Sequence, residues 1–363
     1  MTINEIKKTI EDCGVVGAGG AGFPTHLKID PRAKTIILNC AECEPLLCVD
    51  KYLLAHYTEE IFAALKQVSE VLDADVVIAV KKAYKKTINS VNEKIQAYPR
   101  FRLCLLENIY PIGDEIILIY ETLGFVVPPG SLPIEAGCIV FNVETMYNVY
   151  HAITSNKPVT EKWVTIAGEV ENPGVKQFPV GLTIHDAVKT AGDITSTNPA
   201  YILNGLMMGK KVLGTDFITK TTNVIFVLSN HELAETPFST NLNRAASACC
   251  QCRACTDLCP RHLIGYPIEP HRIMRALGAN DSTSDSFMGV MHCSGCGICE
   301  KIACPQSLAP RELMNVFKNE FKKGGVKAAK LKTPQVSNML PYRKVDQERL
   351  KIRLGLRKYE VPE

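Results

Sequence analysis

Eight cysteines in the last third of this 363-residue chain repeat one spacing: Cys249, Cys252, Cys255 and Cys259 before Pro260, then Cys293, Cys296, Cys299 and Cys304 before Pro305. Two residues separate the first three cysteines of each run. That spacing lets three thiolates turn inward around one cuboidal cluster while the fourth swings away after a short helical step. The pattern is that of two 4Fe-4S clusters, which pass electrons one at a time. Structural zinc takes separated ligand pairs, often with histidine, instead of a threefold run ending in Cys-Pro. A disulfide framework belongs to short secreted chains, and the start here, Asn4-Glu5-Ile6-Lys7-Lys8, is charged where a signal peptide is apolar.

In two-cluster ferredoxins the fourth cysteine of each run binds the other cluster. Applied here, Cys249, Cys252, Cys255 and Cys304 hold one cluster, and Cys293, Cys296, Cys299 and Cys259 the other. The second run has four residues between its last two cysteines, Glu300 to Ala303, where the first has three, which leaves that exchange open. Cys250 reads as a spare thiol, and His262, His271 and His292 as surface or neighbouring groups, because eight thiolates complete two clusters.

Composition excludes other classes. With 46% hydrophobic and 22% charged residues the chain reads as ordinary globular protein, long enough for two or three domains. A net charge of +3 with scattered basic residues leaves no nucleic-acid footprint, and Lys318 to Lys332 reads as a solvated helix and tail. No run approaches the roughly 18 apolar residues of a membrane helix; Glu115 to Val127 is too short and carries Glu121. Fifteen cysteines, eight of them ligands, fit a reducing compartment, so cytoplasmic placement is expected.

The elements that must position this chemistry follow from periodicity. Ile3, Ile6, Ile10 and Cys13 share a helical face over residues 3 to 13. Strands are predicted at Thr35 to Asn39, Val76 to Val80 and Phe101 to Leu106, with a helix from Lys82 to Ile95, a strand-helix-strand alternation. Between the first helix and first strand lie Gly17, Gly19, Gly20 and Gly22. A dinucleotide fingerprint needs a strand before its first glycine and a helix after its last, whereas here a helix precedes and Pro24 follows. What remains is backbone N–H able to approach a phosphate or flat ring, or a plain turn.

Gly17-Ala18-Gly19-Gly20-Ala21-Gly22-Phe23-Pro24-Thr25, Lys28, Asn39 to Pro45 and Asn142-Val143-Glu144-Thr145 follow in that order. Together they resemble the flavin-binding core of the NADH-oxidising FMN subunit of respiratory complex I and of RnfC-like proteins. Glu42-Cys43-Glu44-Pro45, the wider second Cys-Pro spacing and Arg353-Leu354-Gly355-Leu356 are similar to the PduS-type, cobalamin reductase branch of that family. The resemblance covers most of residues 14 to 356.

The resemblance implies that Gly17, Gly19, Gly20 and Gly22 line FMN, with Lys28 near its phosphate and Asn39, Glu42 and Asn142 around the flavin and ribityl chain. Phe23 would face the nicotinamide side and Glu44 a nucleotide ribose. The complex I pattern has aspartate and glycine where Ala41 and Cys43 stand. Glu42 and Glu44 could equally cap a following helix, and Asp50 with Lys51 reads as an exposed or capping pair without a role.

The fold class expected is an α/β flavin domain over 1–157, a β-grasp SLBB domain over 158–230, a polar linker over 231–246, a small helical two-cluster ferredoxin-like domain over 247–325, and a tail over 326–363. Trp163-Val164-Thr165-Ile166 starts the β-grasp segment, and Trp163 reads as filler of its small core. Helices are predicted at His271 to Leu277 and Arg311 to Phe321. Relatives of this type are expected to continue into a further β-rich, biotinyl-like domain.

The function implied is a flavo-iron-sulfur reductase passing electrons from NADH through FMN and two 4Fe-4S clusters to an acceptor, a corrinoid foremost. Alternatives are an RnfC-like subunit feeding a membrane or other reductase complex, and a ferredoxin-like relay without NADH oxidation. Partners are NADH and a redox acceptor, with other electron-transfer or microcompartment proteins; nucleic acid and direct membrane insertion are not expected. Placement inside a microcompartment or peripheral to a membrane complex stays compatible with this reading.

Overall fold

Aliphatic, β-branched runs build the first sheet. The computed structural model describes residues 1–229, 236–279, 281 and 285–362. Its first five strands are β1 (Thr35–Cys40), β2 (Asp75–Lys81), β3 (Phe101–Leu106), β4 (Ile109–Tyr110) and β5 (Cys138–Asn142). All but β4 form a parallel sheet in the order β3-β2-β1-β5. Strand β2, Asp75-Val-Val-Ile-Ala-Val-Lys81, is buried at every position after Asp75, as a strand covered on both faces requires. One cover is the helix Thr58–Leu72, which turns Ile61, Phe62, Leu65, Val68 and Leu72 inward at helical spacing and stops at Asp73 in the left-handed region.

The chain adds β2 and β3 on one side of β1 and returns with β5 on the other. Such a reversal opens a crevice at the carboxyl ends of the two strands that flank it. Asn39 and Asn142 are partners in register at those ends.

The second sheet contains β6 (Glu161–Gly168), β7 (Gly174–Pro179), β8 (Pro199–Leu203), β9 (Lys210–Val212) and β10 (Val224–Ser229), in the order β7-β6-β10-β8-β9. Only the β6–β10 pair is parallel. The helix Ile184–Lys189, capped by the Thr183 side chain, lays Ile184, Ala187 and Val188 on Val164, Ile166, Ile225 and Val227. Trp163 departs from expectation. It packs into the core of the first domain, with Tyr52, Tyr57 and Tyr147 rings 5.6, 5.9 and 6.4 Å away.

The predicted linker also differs. Residues 231–235 lie outside the described residues, and Phe238–Ala248 is a helix that buries Asn241 and Ala245. Asn241 donates to Glu312 at 3.0 Å, and Gly278 meets Ala246 so closely that a Cβ would lie 3.1 Å from its Cα. The segment is therefore part of the cysteine-bearing unit, which hydrophilic composition concealed. Helices Pro260–Leu263, Pro270–Gly278 and Pro310–Lys323 each begin with proline, whose missing N–H costs nothing there.

The tail is likewise fixed. Strand β11 (Val345–Asp346) pairs antiparallel with β4, and Leu350 and Leu356 of the following turns are buried. Leu356 lies with Ile202, Phe226 and Leu228 of the second sheet.

The seam between the two sheets is closed by charge. Lys162 and Glu144 form an ion pair with both side chains 1% exposed. Glu144 also accepts Trp163 N–H at 3.0 Å, and Lys162 Nζ donates to Asn223 Oδ1 at 3.0 Å. Lys162→Met alone leaves the Glu144 carboxylate buried without its cation and is expected to cost about 3–5 kcal/mol, read as a lower thermal midpoint. Adding Glu144→Leu should recover most of that loss; a double variant no better than the single would refute the pair's part in the seam.

Candidate functional site

At the carboxyl ends of β1 and β5 lies a cavity of about 510 Å³. The first domain supplies Gly17, Gly19, Gly20, Phe23 and Lys28 from one side and Asn39, Glu42, Glu44 and Asn142 from the other. The second domain adds Asn204, Met208 and Asn223, and the cysteine-bearing unit adds Ser294 and Cys296. Gly22 sits outside the lining, at φ +64°, where it turns the loop.

The glycine loop is closed by Gly17 N–H donating to Phe23 O at 2.8 Å and Gly22 N–H to Gly17 O at 3.1 Å. Ala18 N–H donates to Thr145 Oγ1 at 3.0 Å, which ties the loop to the start of the helix Val143–Ser155. A Cβ on Gly19 would come 3.2 Å from Asn142 Nδ2, a tight approach that packs the loop closely on the Asn142 side chain.

Thr25 also lines this cavity, and local pattern assigns it no role. It is 1% exposed, and its Oγ1 has no hydrogen-bond partner among the described residues. An orphaned buried hydroxyl facing a cavity fits a polar ligand. Its place directly after Phe23-Pro24 was the available signal. At the same wall, Lys28 Nζ donates to Val140 O at 2.9 Å and approaches Glu115 Oε1 at 3.1 Å, a cation suited to an anionic group.

The other predicted residues divide by what already holds them. Asn39 uses both ends of its amide on backbone, Nδ2 to Gly113 O at 3.0 Å and Oδ1 from Ala41 N–H at 3.0 Å. Glu42 accepts Asp50 N–H at 2.8 Å and Lys51 N–H at 3.4 Å, capping the helix Val49–His56 while still lining the cavity. Burial raises its carboxyl above the ordinary range, with those bonds opposing.

Glu44 accepts Met207 N–H at 3.2 Å and Met208 N–H at 2.7 Å from the β8–β9 turn. Burial pushes it up to about 7 against those two bonds. The turn closes so tightly that a Cβ on Gly205 would lie 2.0 Å from Glu44 Cδ. A ribose hydroxyl would have to compete with two amides there. Phe23, 45% exposed, stands at the cavity rim.

Asp50, read as exposed or capping, is instead buried and lines the cavity. Its Oδ2 accepts Asn142 Nδ2–H at 2.6 Å. The Asn142 side chain crosses from β5 to meet it, a contact invisible in local pattern.

The eight cysteines gather around two small cavities. Cys249, Cys252, Cys255 and Cys304 line one, and Cys259, Cys293, Cys296 and Cys299 line the other. The fourth cysteines are thus exchanged in space. The extra residue of the second run is taken up by a π-helical turn over Cys299–Ala303, which lets Cys304 arrive beside the first run. Among the described residues no three His, Cys, Asp or Glu side chains converge on a point as around a single ion. The thiols surround a volume, which a cuboidal cluster requires. Burial pushes Cys255 and Cys296 up to about 12, so a bound cation must compensate the charge when they lose their protons.

Cys250 is exposed. His271 contacts Thr256 Oγ1 at 2.7 Å, and His292 packs on the Tyr266 ring at 5.7 Å, both as neighbours of the clusters.

Met207 joins the units. Its N–H goes to Glu44 of the first domain, while its carbonyl accepts Arg311 Nη1–H at 2.6 Å. A Cβ on Gly297, between Cys296 and Cys299, would sit 2.7 Å from that carbonyl.

Comparison with known proteins places these parts. Residues 10–151 match the family model of the Nuo51 FMN-binding domain, 163–210 that of the SLBB domain, and 248–309 that of a 4Fe-4S dicluster domain. FMN and two 4Fe-4S clusters are accordingly the groups carried by this chain. It is 35% identical to cobalamin reductase PduS of Citrobacter freundii over 97% of this chain and 79% of that protein. The PduS of Salmonella typhimurium is 34% identical over 98% and 80%. A component of the Na⁺-translocating ferredoxin:NAD⁺ oxidoreductase complex of Acetobacterium woodii is 30% identical over 72% of this chain and 59% of that component. A polypeptide of an NAD⁺-reducing NiFe-hydrogenase shares the fold at a TM-score of 0.59 and 20% identity, covering 91% of this chain and 63% of that one. Among the described residues no helix is long and apolar enough to cross a membrane.

Thr25→Val should lower FMN affinity roughly tenfold, the worth of one hydrogen bond to a polar ligand, in a fluorescence titration of the apoprotein. Unchanged affinity would remove Thr25 from the site. The folded chain holds the Glu44 proton more tightly than the unfolded chain, whose carboxyl sits at 4.5. Stability present below that value is therefore lost as pH rises through about 7, by ~3 kcal/mol. Glu44→Gln is expected to flatten this decline in denaturant unfolding at pH 5 and pH 8.

Proposed function

The chain belongs to the PduS-type, RnfC-like family of flavo-iron-sulfur oxidoreductases, and from that premise we propose that it oxidises NADH and delivers single electrons to a corrinoid or corrinoid-bound enzyme. FMN, when bound, supplies the conversion between a two-electron hydride and single electrons. The chain's residues supply the binding and the route.

The observation that carries this reading is a shared wall. Ser294 and Cys296 line the large cavity, and Cys296 also lines the cysteine cavity of Cys259, Cys293 and Cys299. The cluster on those four thiols is the near one. Cys249, Cys252, Cys255 and Cys304 hold the far one, and the exposure of Cys252 supports an exit at the surface.

Gly17, Gly19 and Gly20 let backbone approach the flavin, with Gly22 turning the loop; Lys28 takes the phosphate and Thr25 adds a hydrogen bond. Asn39 and Asn142 orient the ring and ribityl chain from paired positions on β1 and β5. Phe23 at the rim faces the nicotinamide, and Glu42 shapes the floor by capping the helix beneath it. Corrinoid as acceptor is supported by likeness to the two PduS proteins. Likeness to the component of the ferredoxin:NAD⁺ oxidoreductase complex favours a second reading, delivery to a larger reductase assembly at the same exit. The setting proposed is the cytoplasm, free or beside such an assembly.

Anaerobic reconstitution and NADH titration test the function: the flavin band should bleach first and the cluster absorbance follow. A flavin that stays oxidised in excess NADH rejects it. Cys296→Ser is expected to leave the flavin reducible while stopping reduction of the far cluster. Cys255→Ser should keep the near cluster reducible, by low-temperature EPR, and stop acceptor reduction; the reverse pattern would invert the order of the clusters.

A further inference from the structure

Hydride and single-electron chemistry differ by one proton. NADH becomes NAD⁺ by giving up two electrons together with a proton, and each 4Fe-4S cluster then accepts one electron and no proton. A flavin bound in this cavity would therefore leave one proton over for each NADH oxidised, which a base lining the cavity could take up. The balance is NADH to NAD⁺ plus H⁺ plus two electrons.

We propose that Asp50 is that base, receiving the proton on its carboxylate and passing it to solvent; this rests on the function proposed above. Asp50 is buried, lines the large cavity, and is oriented by Asn142 Nδ2–H at 2.6 Å. The same Asn142 amide touches the glycine loop, where a Cβ on Gly19 would come within 3.2 Å of Nδ2. Asp50 is thereby held against the cavity wall formed by the glycine loop, on which a bound flavin would rest.

The surroundings favour a proton there. Facing Asp50 are Glu42 from the turn after β1, Cys40 from β1, Glu144 from the helix Val143–Ser155, and Lys162 from β6, which is committed to Glu144. Lys51 neighbours it on its own helix, and Lys81 of β2 gives its ammonium to Glu42 O. Burial first, and Glu42 second, raise the Asp50 carboxyl well above the usual range, with the Asn142 bond opposing. Glu42 is the poorer base, because both its oxygens accept helix N–H groups.

The test uses the full FMN-loaded chain and light-driven flavin reduction without NADH, followed by infrared difference spectroscopy. Wild-type protein should show a carboxylic-acid C=O band that appears and disappears with flavin redox state and moves in heavy water. Asp50→Asn should lose that band, and Asp50→Glu should restore it at a shifted frequency. A wild-type band that persists unmoved in either variant, or no band in wild type with normal flavin reduction, overturns the assignment. Wild-type protein that cannot hold FMN overturns the proposed function itself and this inference with it. If Asp50→Asn loses its flavin, the position of the Asp50→Glu band decides.

Discussion

The peptide group of Met207 is the point at which three units of the molecule meet. Its N–H is held by a carboxylate of the flavin domain and its carbonyl by an arginine of the cysteine-bearing unit, so three units share one junction. Tunnelling falls exponentially with separation. A turn that pins the large cavity against the cysteine-bearing unit therefore bears on any electron path between them. Close glycines on both sides enforce the fit, since Gly205 abuts Glu44 and Gly297 abuts the Met207 carbonyl without room for a side chain.

Two seams between units are crossed by partnered charges, one pair fully buried and one half-buried. Lys162 meets Glu144 between the sheets, and Arg261 meets Asp114 at 2.9 Å between the helix after Cys259 and the flavin domain. Asp114 serves twice, because it also caps the helix Glu115–Leu123 through Ile116 and Ile117 N–H. Buried pairs add little net stability over well-packed apolar contacts, yet a misplaced partner costs dearly. Such pairs suit a molecule whose units must meet in one register.

Much of this was legible in the chain. Strand Phe101–Leu106 and the helices around Pro270 and Pro310 follow local periodicity and proline placement, and the flavin, SLBB and dicluster segments carry their own motifs. What could not be read depends on residues far apart in sequence. Asp50 is oriented inside the cavity by Asn142, 92 positions away. Glu44 is claimed by a turn 163 positions on. Trp163 packs with rings of another domain, and the polar segment from Phe238 becomes a helix only because Glu312 and Gly278 receive it. The exchange of Cys259 and Cys304 turned on a single inserted residue, whose absorption as a π turn is a three-dimensional solution.

The strand Val345–Asp346 closes on β4, more than two hundred positions earlier in the chain, and Leu356 then seats beneath the second sheet. During synthesis the flavin and β-grasp sheets can each be completed before the tail emerges, since all their strands precede it in the chain. The strap that binds them together is made after both. Until it leaves the ribosome, β4 lacks its pairing partner, and Cys296 lacks the cover of Val345 and Leu350.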